Sequence, residues 1–105
     1  MVIRALDLVR QCYSQDDGQK VFDVLLPRLQ RGERIELSFE GVPTVPSSFI
    51  NTALIHLLDM LPFETIKSNL RFVDTTRQIN EMIRSRFDFE VNRRHLQPVR
   101  QHERM

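Results

Sequence analysis

Residues 35–61, IELSFEGVPTVPSSFINTALIHLLDML, leave few folds open. Ile35, Leu37 and Phe39 alternate with Glu36 and Ser38, the period of a strand with one face in a core. Glu40-Gly41-Val42-Pro43 breaks that period. Helical spacing starts after Ser47-Ser48: Phe49, Ile50, Ala53, Leu54, Leu57, Leu58 and Leu61 form a broad apolar stripe, which Pro62 stops. A strand over 34–39, a turn and a helix over about 48–61 are expected. Asn51, Thr52, His56 and Asp59 fall outside the stripe.

The flanking segments repeat the theme. Residues 2–9 read as a strand with imperfect alternation, Ile3, Leu6, Leu8 and Val9 standing around Arg4 and Asp7, which leaves room for a bulge. Ser14 and Asp17 have capping-box spacing, with a helix over about 16–31 behind them. Val21, Phe22, Leu25, Leu26 and Leu29 give that helix its stripe, Pro27 predicts a kink or an early end, and Gly32 suits the left-handed position that follows. Pro62 opens a short helix over 63–68. Leu70, Phe72 and Val73 form a third strand, and Asp74-Thr75-Thr76 supplies N-caps for a helix over 76–87. Phe87, Phe89 and Val91 alternate with Asp88 and Glu90, which predicts a last edge strand, the alternative being that the helix runs on. The order implies an α/β fold. Its sheet is mostly parallel or mixed, of about four strands, with right-handed crossovers and helices mainly on one face.

Composition narrows the function classes. A chain of 105 residues forms one domain with one modest core. A formal charge of +1 steers neither nucleic acid nor membrane. Arg93, Arg94, Arg100 and Arg104 face Glu103 alone in residues 92–105, expected to be a mobile basic tail, while residues 1–91 are slightly acidic. Cys12 is the single cysteine, so neither an intrachain disulfide nor a cysteine-rich zinc site is available. The start, MVIRALDLV, is charged and unlike a signal peptide, and no stretch nears the roughly 18 apolar residues of a membrane span. A reduced, cytoplasmic protein is expected.

No residue declares a reaction. Ser47 and Ser48 read first as helix caps, and second as a phosphorylation or anion site at a helix start. P-S-S-F lacks the glycines of a hydrolase elbow. His56, His95 and His102 make no i, i+4 ligand pair. Asp16-Asp17-Gly18 is half a calcium loop without its remaining ligands. There is no phosphate-cradling glycine motif, so no cofactor is expected. Cys12 reads as a small buried apolar residue.

Ser38, Phe39, Gly41 and Val42, then Ser47, Ser48, Phe49 and Asn51, carry a resemblance. The run is similar to a STAS-like domain family of unknown function, small prokaryotic domains related to anti-sigma-factor antagonists. The likeness covers roughly residues 14–87 and is densest at its centre. In the antagonists the helix opens Asp-Ser-Ser-Gly-Leu, and a kinase with a histidine-kinase-type ATP-binding fold, itself the anti-sigma factor, phosphorylates the serine after the aspartate. Ser47 matches that serine. Pro46 stands in place of the aspartate and Phe49 in place of the glycine.

The resemblance implies a non-enzymatic regulatory protein-interaction module over residues 1–91. Its implied partner is another protein, such as a histidine-kinase-type ATPase or a second copy of the chain. The implied docking surface is Gly41, Val42, Pro46 and Phe49 with an exposed helix side of Asn51, Thr52 and Ile55. A different class, a small nucleic-acid-binding regulator using Arg93, Arg94, Arg100 and Arg104, is the alternative, disfavoured by the absence of interleaved aromatic residues.

Overall fold

Ser14 opens the first long helix, as its spacing predicts. A computed structural model describes residues 1–94. In it the Ser14 Oγ accepts from the Asp17 N–H at 3.1 Å, and the Asp17 carboxylate accepts from the Ser14 N–H at 3.0 Å. This reciprocal cap starts α2 (Gln15–Gln30), which buries Val21, Leu25 and Leu29. Pro27 ends nothing by itself, because the helix runs on to Gln30. Gly32 then takes φ 80°, where a side chain would be strained.

The chain begins with β1 (Val2–Arg4), much shorter than the strand expected over 2–9. Residues Ala5–Leu8 form one helical turn, α1. Ala5 and Val9 are both buried, and the Val9 N–H donates to the Ala5 carbonyl at 3.1 Å. Four-residue spacing puts both on one face of a turn, whereas a strand would point them the same way only by skipping Leu6 and Leu8 from the core.

β2 (Ile35–Ser38) lies between β1 and β3 (Leu70–Val73), and all neighbours are parallel. Ile3, Leu37 and Phe72 are in register and share the helical face. Val2, Arg4, Glu36 and Arg71 share the other face, where none of them is buried. Strand order follows chain order, so right-handed crossovers put the connecting helices on one side.

The helix expected over 48–61 is two pieces. α3 (Ser47–Ala53) stops at Leu54, whose φ of −121° leaves the helical range, and a 3₁₀ turn covers Ile55–Asp59. Ile55 and Leu57 explain the break, since both are buried. Two positions apart, they diverge by about 160° around an α-helix but by about 120° around a 3₁₀ helix. α4 (Phe63–Asn69) follows Pro62 as expected.

Among the described residues the sheet has three strands, where about four were expected. The segment 87–91 is helical, inside α5 (Arg77–Arg94). Ile79, Ile83, Phe87 and Glu90 are its buried positions, at helical spacing. The helix passes the boundary expected at residue 91 and includes Arg93 and Arg94. Gly18 anchors the packing of α2 on α3. A Cβ there would stand 2.9 Å from both the Phe49 carbonyl oxygen and Thr52 Cβ.

Candidate functional site: a braced turn beside the third helix

The turn leaving β2 sits at the carboxyl end of the strands, where open α/β sheets place their binding residues. Gly41 adopts φ 84°, and the Val42 N–H closes back on the Phe39 carbonyl at 2.9 Å. Val42 and Val45 are buried and pin the turn from below, leaving Pro43 and Thr44 exposed between them.

The next loop braces the turn from the side. The Gln78 amide makes two hydrogen bonds to one residue: its Oε1 accepts from the Val45 N–H at 2.9 Å, and its Nε2 donates to the Val45 carbonyl at 2.9 Å. The Thr76 hydroxyl donates to the Pro43 carbonyl at 3.0 Å and accepts from the Ile79 N–H at 3.2 Å, so it also caps α5. Ser38 Oγ donates to the Asp74 carboxylate at 2.7 Å and accepts from the Glu40 N–H at 3.2 Å. The Glu40 N–H, the Pro43 carbonyl and both backbone groups of Val45 are thus held by side chains.

The expected site residues separate on this frame. Gly41 and Ser47 are exposed, and Pro46 and Ser48 are half-buried. Neither serine caps α3: Pro46 is the N-cap residue, and no side chain bonds the first turn. Ser47 and Ser48 are therefore already helical residues, one step too late to cap. Val42, Phe49, Thr52 and Ile55 are buried, which corrects the expectation of an exposed Thr52 and Ile55. Thr52 donates its hydroxyl to the Ser48 carbonyl at 3.1 Å, and Ile55 has been turned inward by the break at Leu54.

Asn51 leads to a second polar cluster. Its Oδ1 accepts from Arg86 Nε at 2.8 Å. Glu90, buried at 6 % exposure, accepts from Arg86 at 3.3 Å, Arg93 at 2.7 Å and Arg94 at 3.2 Å. Arg94 also reaches Asp59 at 2.7 Å. The hydrogen bond from Arg93 is the main reason the Glu90 carboxyl ionises below its ordinary range, and the bond to Asp59 raises the Arg94 guanidinium further. Arg93 and Arg94, nucleic-acid contacts under the alternative reading, are paired with carboxylates of the domain. Arg100 and Arg104, with His95 and His102, lie outside the described residues.

Cys12 is buried, and burial, with the nearby Asp17 charge second, pushes its thiol up to about 11. Burial thus disfavours the thiolate, the form that acts as a nucleophile. A cavity of about 210 Å³ opens beside it, lined by Leu6, Arg10, Tyr13, Val42 and Thr44 among others. Among the described residues no three potential ligands gather for a metal, and no helix is long and apolar enough to cross a membrane.

The model of a family described as a STAS-like domain of unknown function (DUF4325) matches residues 17–80. That is more than half of the chain. The chain belongs to this STAS-like family. Comparison with curated proteins and with solved structures gave no match. The matched span starts in the capped turn of α2 and ends in the first turn of α5, so it contains the whole braced turn. The Arg86–Arg94 cluster of this STAS-like domain lies beyond it. At the coarse level, membership supports a regulatory protein-interaction module of a generally non-enzymatic kind.

Sequence reasoning located the turn and missed what holds it. Thr76 was legible as a cap. Gln78, whose amide does the most for the turn, carried no signal, because its partner is 33 residues away.

Proposed function

We propose that this STAS-like domain is a regulatory module on which a partner protein docks at the corner formed by Pro43, Thr44, Pro46 and Ser47, with Asn51 at its border. The double hydrogen bond from Gln78 to Val45 carries the reading. It fixes the conformation of an exposed turn before any partner arrives, which lowers the ordering cost of binding.

In the finer form of the proposal the partner is a histidine-kinase-type ATPase and Ser47 is its phosphoacceptor. Support comes from the exposure of Ser47 and its place in the first turn of α3. A phosphate there gains from the helix dipole while placing about two negative charges on the docking corner. Phosphorylation would therefore release the partner without unfolding the domain.

The test uses the purified chain, a candidate ATPase of this type and ATP. Binding is read by calorimetry and modification by intact mass. Ser47→Ala is expected to bind normally and remain unmodified, and Ser47→Asp to bind weakly. Phosphate arriving on Ser48 instead, or Ser47→Asp binding like the parent, would remove the switch. Full binding by Thr44→Arg would remove the corner itself.

A further inference from the structure

Among the described residues the sheet ends at β3, and no strand pairs with its outer border. The Val73 carbonyl accepts from the Phe39 N–H at 3.0 Å, so Val73 and, two residues earlier, Arg71 turn their backbone groups toward β2. Phe72 lies between them and turns its N–H and C=O outward, where no described residue takes them. Its ring is on the helical face, in register with buried Leu37, yet it stays half-exposed. Beside it α4 and α5 leave a groove of about 240 Å³ lined by Phe63, Ile66, Leu70, Phe72 and Phe87. The Phe63 and Phe87 rings stand 5.8 Å apart at its mouth. Lys67, Arg84 and Asp88 also line it, all exposed, and none makes an ion pair among the described residues.

We propose that a second copy of the chain pairs antiparallel along β3, centred on Phe72, so that two three-stranded sheets become one. The geometry of the border selects both the occupant and the register. Directly opposed residues share a face, so the two-fold axis passes through a residue. On Arg71 it would oppose two guanidinium groups. On Phe72 it opposes the two rings on the helical face, and Arg71 meets Val73 on the other. Each Phe72 N–H then donates to the Phe72 carbonyl of the other copy, which satisfies the outward groups as one reciprocal pair.

The axis runs through the sheet, so both grooves fall on the same side and join. Their charges suit self-pairing: Lys67 and Arg84 of one copy meet Asp88 of the other. A uniformly acidic partner strand would meet Asp88, and a uniformly basic one would meet Lys67 and Arg84. The contact uses β3, α4 and α5, and it leaves the corner at Pro43–Ser47 free, so it does not rest on the function proposed for that corner.

Sedimentation velocity of the full chain across a concentration series tests the pairing. The expected species at high concentration has twice the 12.5 kDa of one chain. Asp88→Arg, at an exposed position, should keep the circular dichroism spectrum and weaken the dimer by about tenfold, and adding Arg84→Asp should restore it. Register is read separately by mixing an Arg71→Cys chain with a Val73→Cys chain under mild oxidation. A mixed disulfide is expected, in preference to either chain linking to itself. A monomer at every concentration overturns the proposal. So does a dimer indifferent to Asp88→Arg, or one in which positions 71 and 73 fail to join.

Discussion

Removing the Gln78 amide tests the physical basis of the docking corner. Gln78→Ala deletes two hydrogen bonds, each 2.9 Å long, to the backbone of a residue only 2 % exposed. A net hydrogen bond is worth about 1 kcal/mol, and a polar group left dry costs about 1–3 kcal/mol. The turn borders solvent at Thr44, so water can recover part of the loss. About 2 kcal/mol is expected, which for a domain of this size lowers the melting temperature by roughly 10 °C. The loss should also be local. Amide exchange at Val45 should speed up strongly, while the Leu25 and Ile83 amides, inside α2 and α5, follow only the fall in global stability. Gln78→Glu keeps the acceptor for the Val45 N–H but sets a carboxylate oxygen against the Val45 carbonyl, so it should not rescue the turn. Unchanged melting and unchanged Val45 protection in Gln78→Ala would refute the bracing.

Two further perturbations separate packing from electrostatics. Gly18→Ala places a Cβ 2.9 Å from the Phe49 carbonyl oxygen, which is backbone and cannot swing away. The helix-propensity gain of about 1 kcal/mol is then outweighed by overpacking of about 1–3 kcal/mol, so urea titration should show a net loss. A net gain would mean that α2 and α3 are not in close contact. Glu90→Gln should cost about 1 kcal/mol at neutral pH, a discounted figure because Arg93 is 57 % exposed and because Arg86 and Arg94 keep Asn51 and Asp59. The folded pKa of Glu90 is lowered, so its contribution is complete above the unfolded value of about 4.3 and fades as pH falls through the folded one. The gap between the parent and Glu90→Gln should therefore shrink as the pH falls from the unfolded pKa through the folded one, and a gap that stays constant into strong acid would contradict the ion-pair account.

What could be read in the sequence was local. Ser14 and Asp17 are three residues apart, so their reciprocal bonds are written in the spacing, and Gly32 marks its own backbone angle. β2 was legible because alternation reports one buried face directly. The failures came from contacts between distant segments. A continuous apolar stripe over 49–61 hid the break at Leu54, since only packing from both sides demands that Ile55 and Leu57 turn inward together. That break is also why Ile55 was misplaced on an exposed face, whereas Thr52 lies before it and is covered by α2 at Gly18. The alternating run Phe87–Val91 suits a strand by period. It is a helix because Phe87 and Glu90 continue the buried face of Ile79 and Ile83 while Phe89 stays exposed, and Glu90 adds pairs to Arg86, Arg93 and Arg94 at offsets of three and four residues. At the site, the turn from Gly41 to Ser48 was found by its residues. Its bracing by Gln78 was invisible, and Pro46 took the cap position assigned to the serines.

Site-specific photo-crosslinking tests the docking claim most directly. A photoreactive phenylalanine analogue is placed at Thr44, at Ser47, or at exposed Gln19 on α2 as a control, in cells carrying the full-length chain. The account predicts that positions 44 and 47 trap the same protein, that position 19 does not, and that Gln78→Ala weakens the trapping. Trapping of that protein from position 19 alone, or equal trapping with and without Gln78, would place the docking surface elsewhere.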